Sequence, residues 1–450
     1  MIKKVIYLPV QIKKRAFVAK LLLGYLSLKD HYCFIIGKRH SVKKIALHGP
    51  AGVFLEKDFF GKKGEYFNKF KNRDMKFYGL DDEGLVFHDN NEYLNRRVDY
   101  NNLKYLERVF AWGTRQANIL NNFLGPNEGK KVVIVGNPRI DLLSGIGVHI
   151  YHKQIDCINK NYGNFILFNS FFALANGIKS IDELVDRLKR LKNNISDDII
   201  NYWYGFYEYQ KQLFELIKDA LKILAEKKQI NIVIRPHPNE KIATWNKIFK
   251  NYKNVIVNKE FDIFPWIYTA KAIIHNSCTT GVEAYLLGKK VIAYQPVVNE
   301  RFDLDLPNSL SIKITHIGGL KDIIEKIINN DYEENKDDLI EKERIMRHHI
   351  HLDKQLSSEL ILKEFNKNNY SKDIPTFKRD YFDLASGIVL NAIDRIYKVL
   401  KKDSRINNDF PYTKKNEIKD YLNLLNNYFG YNIKFKIKQL ASSCFLVSPK

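Results

Sequence analysis

Arg235-Pro236-His237-Pro238 sets a guanidinium and an imidazole between two prolines, directly after the apolar run Ile230 to Ile234. Each proline fixes its own φ and keeps the preceding residue out of the helical region, so the backbone at Arg235 and His237 is stiff. A guanidinium so held can grip a phosphate through two N–H groups. The imidazole can donate to that phosphate or protonate a leaving group. A rigid turn whose histidine only caps a neighbour is the plain alternative. A second segment argues against it: in His275-Asn276-Ser277-Cys278-Thr279-Thr280-Gly281-Val282-Glu283, hydroxyls and an amide follow another short apolar run. Asn276, Ser277, Thr279 and Thr280 then sit where free N–H groups open a helix, a natural place for an anion. Glu283 either caps that helix or accepts from a ribose or base.

The complementary chemistry lies far upstream, in Asp81-Asp82-Glu83-Gly84. Three adjacent carboxylates repel one another, and crowding of this kind raises at least one pKa towards the range useful for general acid/base work. A carboxylate can also attack an anomeric carbon as a nucleophile. Asp82 and Glu83 are the expected catalytic pair, with Asp81 in reserve; an acidic surface turn is the competing reading. Gly136-Asn137-Pro138-Arg139 forms a tight turn after a strand and aims Arg139 at the same region. Asn169, after the run Phe165 to Phe168, is a further candidate for the nucleotide side.

Positioning such groups requires strand ends. Short apolar runs alternate with helical periodicities through the first 330 residues, which predicts α/β layers on parallel sheets. Expected strands in the first part are Val5 to Pro9, Tyr32 to Ile36, Lys44 to Leu47, Met75 to Tyr78, Val109 to Trp112 and Lys131 to Val135. A second series runs Phe165 to Phe168, Ile230 to Ile234, Val255 to Val257, Ala272 to His275 and Val291 to Tyr294. Expected helices include Ala16 to Leu28 and about 208–228, 262–270, 279–287 and 319–329. Two successive units of this kind predict the GT-B architecture: Rossmann-like domains at 1–150 and 151–330 facing a cleft, with ligands beyond the carboxyl ends of the strands. Residues 331–450 read as a helical extension, with amphipathic stretches at Asp337 to His349, Leu356 to Asn366, Phe382 to Leu400 and Glu417 to Phe429.

Bulk properties narrow the functional classes. At 450 residues and 45% hydrophobic content the chain can bury large cores, and no stretch approaches the roughly 18 apolar residues of a membrane span. The opening run is short, interrupted by Pro9 and lacks a small-residue cleavage site, so a first strand is expected there rather than a signal peptide. The four cysteines are scattered and form no CxxC pair, which points away from disulfides and zinc and towards the cytoplasm. The net charge is +22, and residues 1–76 hold 18 Lys or Arg against 5 Asp or Glu. Such a field draws phosphates, acidic glycans or the anionic inner-membrane surface, to which peripheral contact is an expectation. Nucleic acid is not an expected partner, because no recognition motif accompanies the charge.

Taken together the motifs resemble known enzymes. Asp82-Glu83-Gly84 resembles the D/E-D/E-G motif of bacterial GT-B sialyltransferases, His237-Pro238 their HP motif, and Ser277 with Thr279-Thr280 the hydroxyl motif that holds the nucleotide phosphate. The wider pattern resembles the family of surface carbohydrate biosynthesis proteins. It comprises Gly61 to Phe67, Asp81 to Leu85, Phe110 to Gly113, Gly136 to Arg139, Arg235 to Pro238 and Asn276 to Glu283, and spans about residues 1–300. The resemblance implies a CMP-activated 3-deoxy-ulosonic acid donor (sialic, legionaminic or pseudaminic acid, or Kdo). It also implies transfer to a glycan or lipid-linked glycan of the bacterial surface, such as capsule or lipopolysaccharide, with no cofactor and no essential metal. In inverting members an acid of the first motif deprotonates the acceptor; in the related retaining β-Kdo transferases the corresponding acid is a nucleophile. The HP histidine contacts the donor phosphate. Rival readings are a CDP-polyol phosphotransferase of teichoic-acid type, a GT-B sugar-nucleotide 2-epimerase and, lastly, a non-enzymatic membrane scaffold.

Overall fold

The computed structural model describes residues 4–61, 63–70, 73–191, 195–367 and 410–450. The chain divides into two compact units: Met1–Ile150 together with Met346–Lys450, and Tyr151–Ile345.

The first unit is built on parallel strands β1 (Lys4–Val10), β2 (Tyr32–Lys38), β3 (Gly52–Glu56), β4 (Lys76–Leu80), β5 (Leu106–Ala111) and β6 (Val132–Ile134). The second has β7 (Phe165–Asn169), β8 (Asn231–Arg235), β9 (Val255–Val257), β10 (Ala272–His275), β11 (Lys290–Tyr294) and β12 (Ile312–Ile314), also all parallel. A terminal hairpin, β13 (Phe435–Ala441) and β14 (Cys444–Pro449), adds antiparallel to β2. The sheet orders are β13-β14-β2-β1-β3-β4-β5-β6 and β12-β11-β10-β7-β8-β9.

These orders locate the binding edges. Along the second sheet the chain winds outwards in both directions from β7 and β10, the doubly wound dinucleotide-fold order. The first sheet reverses between β1 and β3. At such a reversal the connections leave to opposite faces and open a crevice outside the carboxyl ends of the strands. Asn169 pairs in register with Arg235 on one side and His275 on the other, so three expected site segments start level at one edge. Burial on both faces explains the runs of apolar residues in these strands. Ile166, Phe168, Ile232, Ile234 and Ile274 pack into one core, whereas Phe165, Leu167, Val233 and Ile273 pack into another.

Two local expectations are corrected. Lys44 to Leu47 is not a strand but part of the helix Arg39–His48, because Val42, Ile45 and Ala46 recur at helical spacing and are fully buried. The strand of that region is Gly52–Glu56 instead. Helix also does not continue to the end. The helices Lys336–His349, Ser357–Lys367 and Lys415–Phe429 are present, but alternating Phe435, Lys436, Ile437 and Lys438 open a hairpin turned at Ser443, whose φ is +55°. The described residues from Met346 onward belong to the first unit, rather than to an extension beginning at 331. The expected helix Phe382 to Leu400 lies outside the described residues.

Candidate active site

In the first unit the carboxylate turn follows β4, and its three acids have different surroundings. Asp81 is completely buried and ion-paired with Arg97, whose Nε lies 3.1 Å from its Oδ2. Its Oδ1 accepts the Glu83 N–H at 3.1 Å, and its carbonyl accepts the Trp112 indole N–H at 2.7 Å. Burial pushes the Asp81 pKa up against the pull of Arg97. Burial alone would lower that of Arg97, but the facing carboxylate overrides it and holds the guanidinium charged. Asp81 therefore fixes the turn. Asp82, 9% exposed, faces Lys20 Nζ at 3.4 Å. Lys20 also donates to the Pro9 carbonyl at 2.9 Å, and its pKa is lowered by burial. Glu83 is half-buried and pairs with Arg15 at 2.6 Å.

Gly84 closes the turn because nothing larger fits. A Cβ there would collide with the Gln116 side-chain amide. That amide cannot yield: its oxygen accepts the Trp112 N–H at 2.8 Å and its nitrogen donates to the Tyr93 hydroxyl at 2.6 Å. Arg139 reaches the same turn, donating to the Asp82 carbonyl at 3.4 Å and lying over the Trp112 ring. Asn137, 2% exposed, caps the Arg139 N–H at 2.9 Å, and its buried Nδ2 has no hydrogen-bond partner.

In the second unit the switch-point edge is rich in neutral donors. Asn169 is 4% exposed and its Nδ2 is buried without a partner. His237 follows β8, packs edge-on to the Phe171 ring and accepts the Asn239 N–H on Nδ1 at 3.2 Å. That bond leaves Nε2 to carry the proton of the neutral ring. Pro238 is exposed and acts by stiffening the turn. Asn276 ties the two loops together, accepting from the Phe171 N–H at 3.2 Å and donating to its carbonyl at 3.4 Å. Thr279 stands at the start of the helix Thr280–Leu286 without a capping side-chain bond. Thr280 donates to Cys278 Sγ at 3.1 Å, and Glu283 is buried in the first helical turn.

Two expected phosphate ligands have other work. The Arg235 guanidinium donates to the carbonyls of Glu260 and Phe261, both at 2.7 Å, and lies over the Trp266 ring. It braces a turn in which Phe261 has φ +58°, a strained value for a bulky residue. Ser277 also has positive φ; its hydroxyl donates to Asp303 at 3.2 Å and accepts from Asn308 at 2.8 Å.

Two residues without an expected role organise this edge. Glu240, 1% exposed, accepts from Ser170 Oγ, the N–H groups of Phe172 and His237, the Trp245 indole and Asn176 Nδ2, at 2.8–3.4 Å. His275 is fully buried; its Nδ1 accepts the Cys278 N–H at 3.2 Å and its Nε2 lies 2.8 Å from Ser311 Oγ. Ser311 spends its own proton on the Pro307 carbonyl, so His275 donates from Nε2. Burial lowers its pKa to about 3. Gly281 follows from this, since a Cβ would lie 2.7 Å from the His275 ring. The signal for both organisers was their place at or shortly after the end of a buried strand; Ser311 for His275, and Ser170, Phe172 and Asn176 for Glu240, come from distant segments.

Two Rossmann-like α/β units with these sheet orders define a GT-B fold. No protein-family model and no curated protein matches the chain. Among solved structures, the wall teichoic acid polymerase TagF, a histidine-to-asparagine variant soaked for 30 minutes with CDPG, is similar at TM-score 0.50 and 10% identity. The match covers 82% of this chain and 88% of that one. UDP-GlcNAc 2-epimerase from Methanocaldococcus jannaschii is similar at TM-score 0.47 and 14% identity, covering 81% of this chain and 99% of that one. The Neisseria meningitidis enzyme bound to UDP-GlcNAc gives 0.45 and 14%, covering 81% and 100%. At these identities the likeness is one of fold. Among the described residues no helix is long and apolar enough to cross a membrane.

Proposed function

We propose that this chain is a glycosyltransferase that moves a 3-deoxy-ulosonic acid from its CMP donor to a bacterial surface glycan. The observation that supports the reading is that the hydrogen-bond donors named at the switch-point edge are neutral groups. Arg235 and Lys259, two cations beside the strand ends, donate to backbone carbonyls. At the same strand ends stand the Asn169 Nδ2, buried without a partner, the His237 ring, whose Nδ1 accepts the Asn239 N–H, and Thr279 at the start of its helix. Such a set suits the single charge of a CMP-sugar phosphodiester better than the two charges of a nucleoside diphosphate. The sequence resemblance points to the same donor.

In this reading the second unit binds the donor and the first supplies the base and receives the acceptor. The bond from ulosonate C2 to the CMP phosphate breaks, and its electron pair leaves on the phosphate oxygen, where His237 donates from Nε2. The acceptor oxygen bonds to C2 and its proton passes to a carboxylate of the turn. The ion pairing favours Asp82 for this role: Asp81 is consumed by Arg97, and Glu83 is more exposed and closer to its cation. Should transfer proceed with retention, the same carboxylate is the nucleophile of a first displacement.

Thermal-shift titration with CMP, CDP and UDP, followed by product analysis with CMP-sugars, tests the proposal. Stabilisation by CMP and sugar transfer are expected. Stabilisation by UDP alone, epimer formation without acceptor, or turnover of a CDP-polyol would each overturn the donor assignment.

A further inference from the structure

The reversal in the first sheet lies between β1 and β3, and a cluster of charged side chains occupies that edge. β3 ends in Glu56, followed by Lys57 and Asp58; Arg39 and Lys43 come from the helix after β2, and Lys63 from the next loop. Glu56 is 1% exposed and is met by Arg39 at 3.1 Å, Lys43 at 3.1 Å and Lys63 at 3.7 Å. Asp58 is met by Lys57 at 2.9 Å, Arg39 at 3.6 Å and also Lys63. Among the described residues, four cations thus share two carboxylates.

These are not solvated surface lysines. The side chains of Lys63, Lys57 and Lys43 are 6%, 12% and 20% exposed, and Arg39 Nε is buried without a hydrogen-bond partner. An excess of two positive charges held largely out of water is unfavourable unless something answers it. Burial lowers the Lys63 pKa although two carboxylates flank it, which fits that imbalance. The arrangement is built. Asn102 accepts the Lys63 N–H at 3.3 Å and donates to the Phe59 carbonyl at 3.0 Å, clamping the loop. The cluster also adjoins the carboxylate turn, because the Asp82 N–H donates to the Lys57 carbonyl at 2.9 Å.

We propose that Arg39, Lys43, Lys57 and Lys63 form a subsite for a phosphate group carried by the acceptor, beside the carboxylate that takes the acceptor proton. That the phosphate belongs to an acceptor rests on the transferase reading; the anion site itself does not. A phosphate dianion would balance the excess, and a guanidinium with several ammoniums gives it fork and point contacts together.

Calorimetric titration of inorganic phosphate into the full chain, with and without CMP, tests this. Binding that persists with CMP present and weakens roughly tenfold in Lys43→Gln and in Lys57→Gln is expected, since each removes one charged hydrogen bond. Glu56 keeps two cations in the first variant, so folding should survive; Arg96→Gln, a surface pair on the same unit, should bind as wild type. No phosphate binding, or unchanged affinity in both lysine variants, would overturn the subsite whether or not CMP binds. Loss in the variants without any CMP binding would instead overturn the transferase reading and leave the anion site standing. Sedimentation with vesicles of equimolar phosphatidylcholine and phosphatidylglycerol separates the sources. Capture that is lost in Lys43→Gln assigns the phosphate to a lipid headgroup, and phosphate binding without capture assigns it to a soluble acceptor.

Discussion

Replacing Glu240 by glutamine keeps shape and size while exchanging one acceptor oxygen for a donor. Oε1 now receives the N–H groups of Phe172 and His237, and Oε2 receives Trp245 Nε1 and Asn176 Nδ2; Ser170 Oγ reaches both. Whichever way the amide turns, its NH2 faces two buried donors that lose their acceptor. Each buried unsatisfied donor costs about 1–3 kcal/mol, so the variant should lose about 2–6 kcal/mol of stability in the second unit. Trp245 is fully buried and donates directly to Glu240, which makes its fluorescence a local reporter during urea unfolding. The His237 turn loses its pin if Oε1 is the atom exchanged, so the thermal shift with CMP should shrink as well. A Glu240→Gln chain that unfolds within about 1 kcal/mol of wild type would refute the view that this carboxylate organises the edge, because even one orphaned donor costs that much.

Three further outcomes are expected. Asp82→Asn should lower transfer by about 10²–10⁴-fold, the usual weight of a general base, while leaving the CMP thermal shift in place; near-normal turnover removes Asp82 from the mechanism. His275 stays neutral when folded, with its pKa lowered to about 3, whereas the unfolded chain protonates it near the ordinary histidine value. The unfolded state then binds the extra proton, so stability falls as pH drops from about 6.5 towards 3, by about 2 kcal/mol between pH 7 and pH 5. Urea unfolding of wild type and His275→Gln at both pH values checks this, and an unchanged pH slope in the variant would contradict it. Gly84→Ala should cost about 1–3 kcal/mol by overpacking against Gln116. It should also displace the carboxylate turn, read as a lowered midpoint for the first unit and reduced transfer.

The fold was legible because parallel strands covered on both faces leave a sequence signal of short apolar runs, and ten of the twelve parallel strands among the described residues coincide with expected ones. The two others are Gly52–Glu56 and Ile312–Ile314. The first was displaced by the strand expected at Lys44 to Leu47, where a few apolar residues suit a strand or one turn of helix equally, and only burial of Val42, Ile45 and Ala46 on one face decides. Ile312–Ile314 is a three-residue edge strand whose central Lys313 is exposed, too short for periodicity to register. The terminal hairpin joins β2, pairing Cys444 with Gly37 and Val447 with Phe34 across nearly the whole chain, and nothing local announces such a partner.

At the site, sequence identifies which groups gather at strand ends but not which are already spoken for. Asp81, Asp82 and Glu83 look interchangeable in a row; a fully buried pairing with Arg97, a looser approach by Lys20 and a half-exposed contact with Arg15 separate them. Arg235 likewise looks like a phosphate ligand until the carbonyls of Glu260 and Phe261, 25 and 26 residues away, take its fork. That diversion changes the chemistry expected of the edge. With the guanidinium committed, the donors named at this edge are neutral dipoles and one imidazole, and the proposed CMP-sugar, which carries a single phosphate charge while bound and gains a second as CMP departs, is the donor that set was argued to suit. The excess of fixed positive charge stands instead at the Glu56–Lys63 edge of the first sheet, where it can serve a phosphate on the acceptor rather than on the donor.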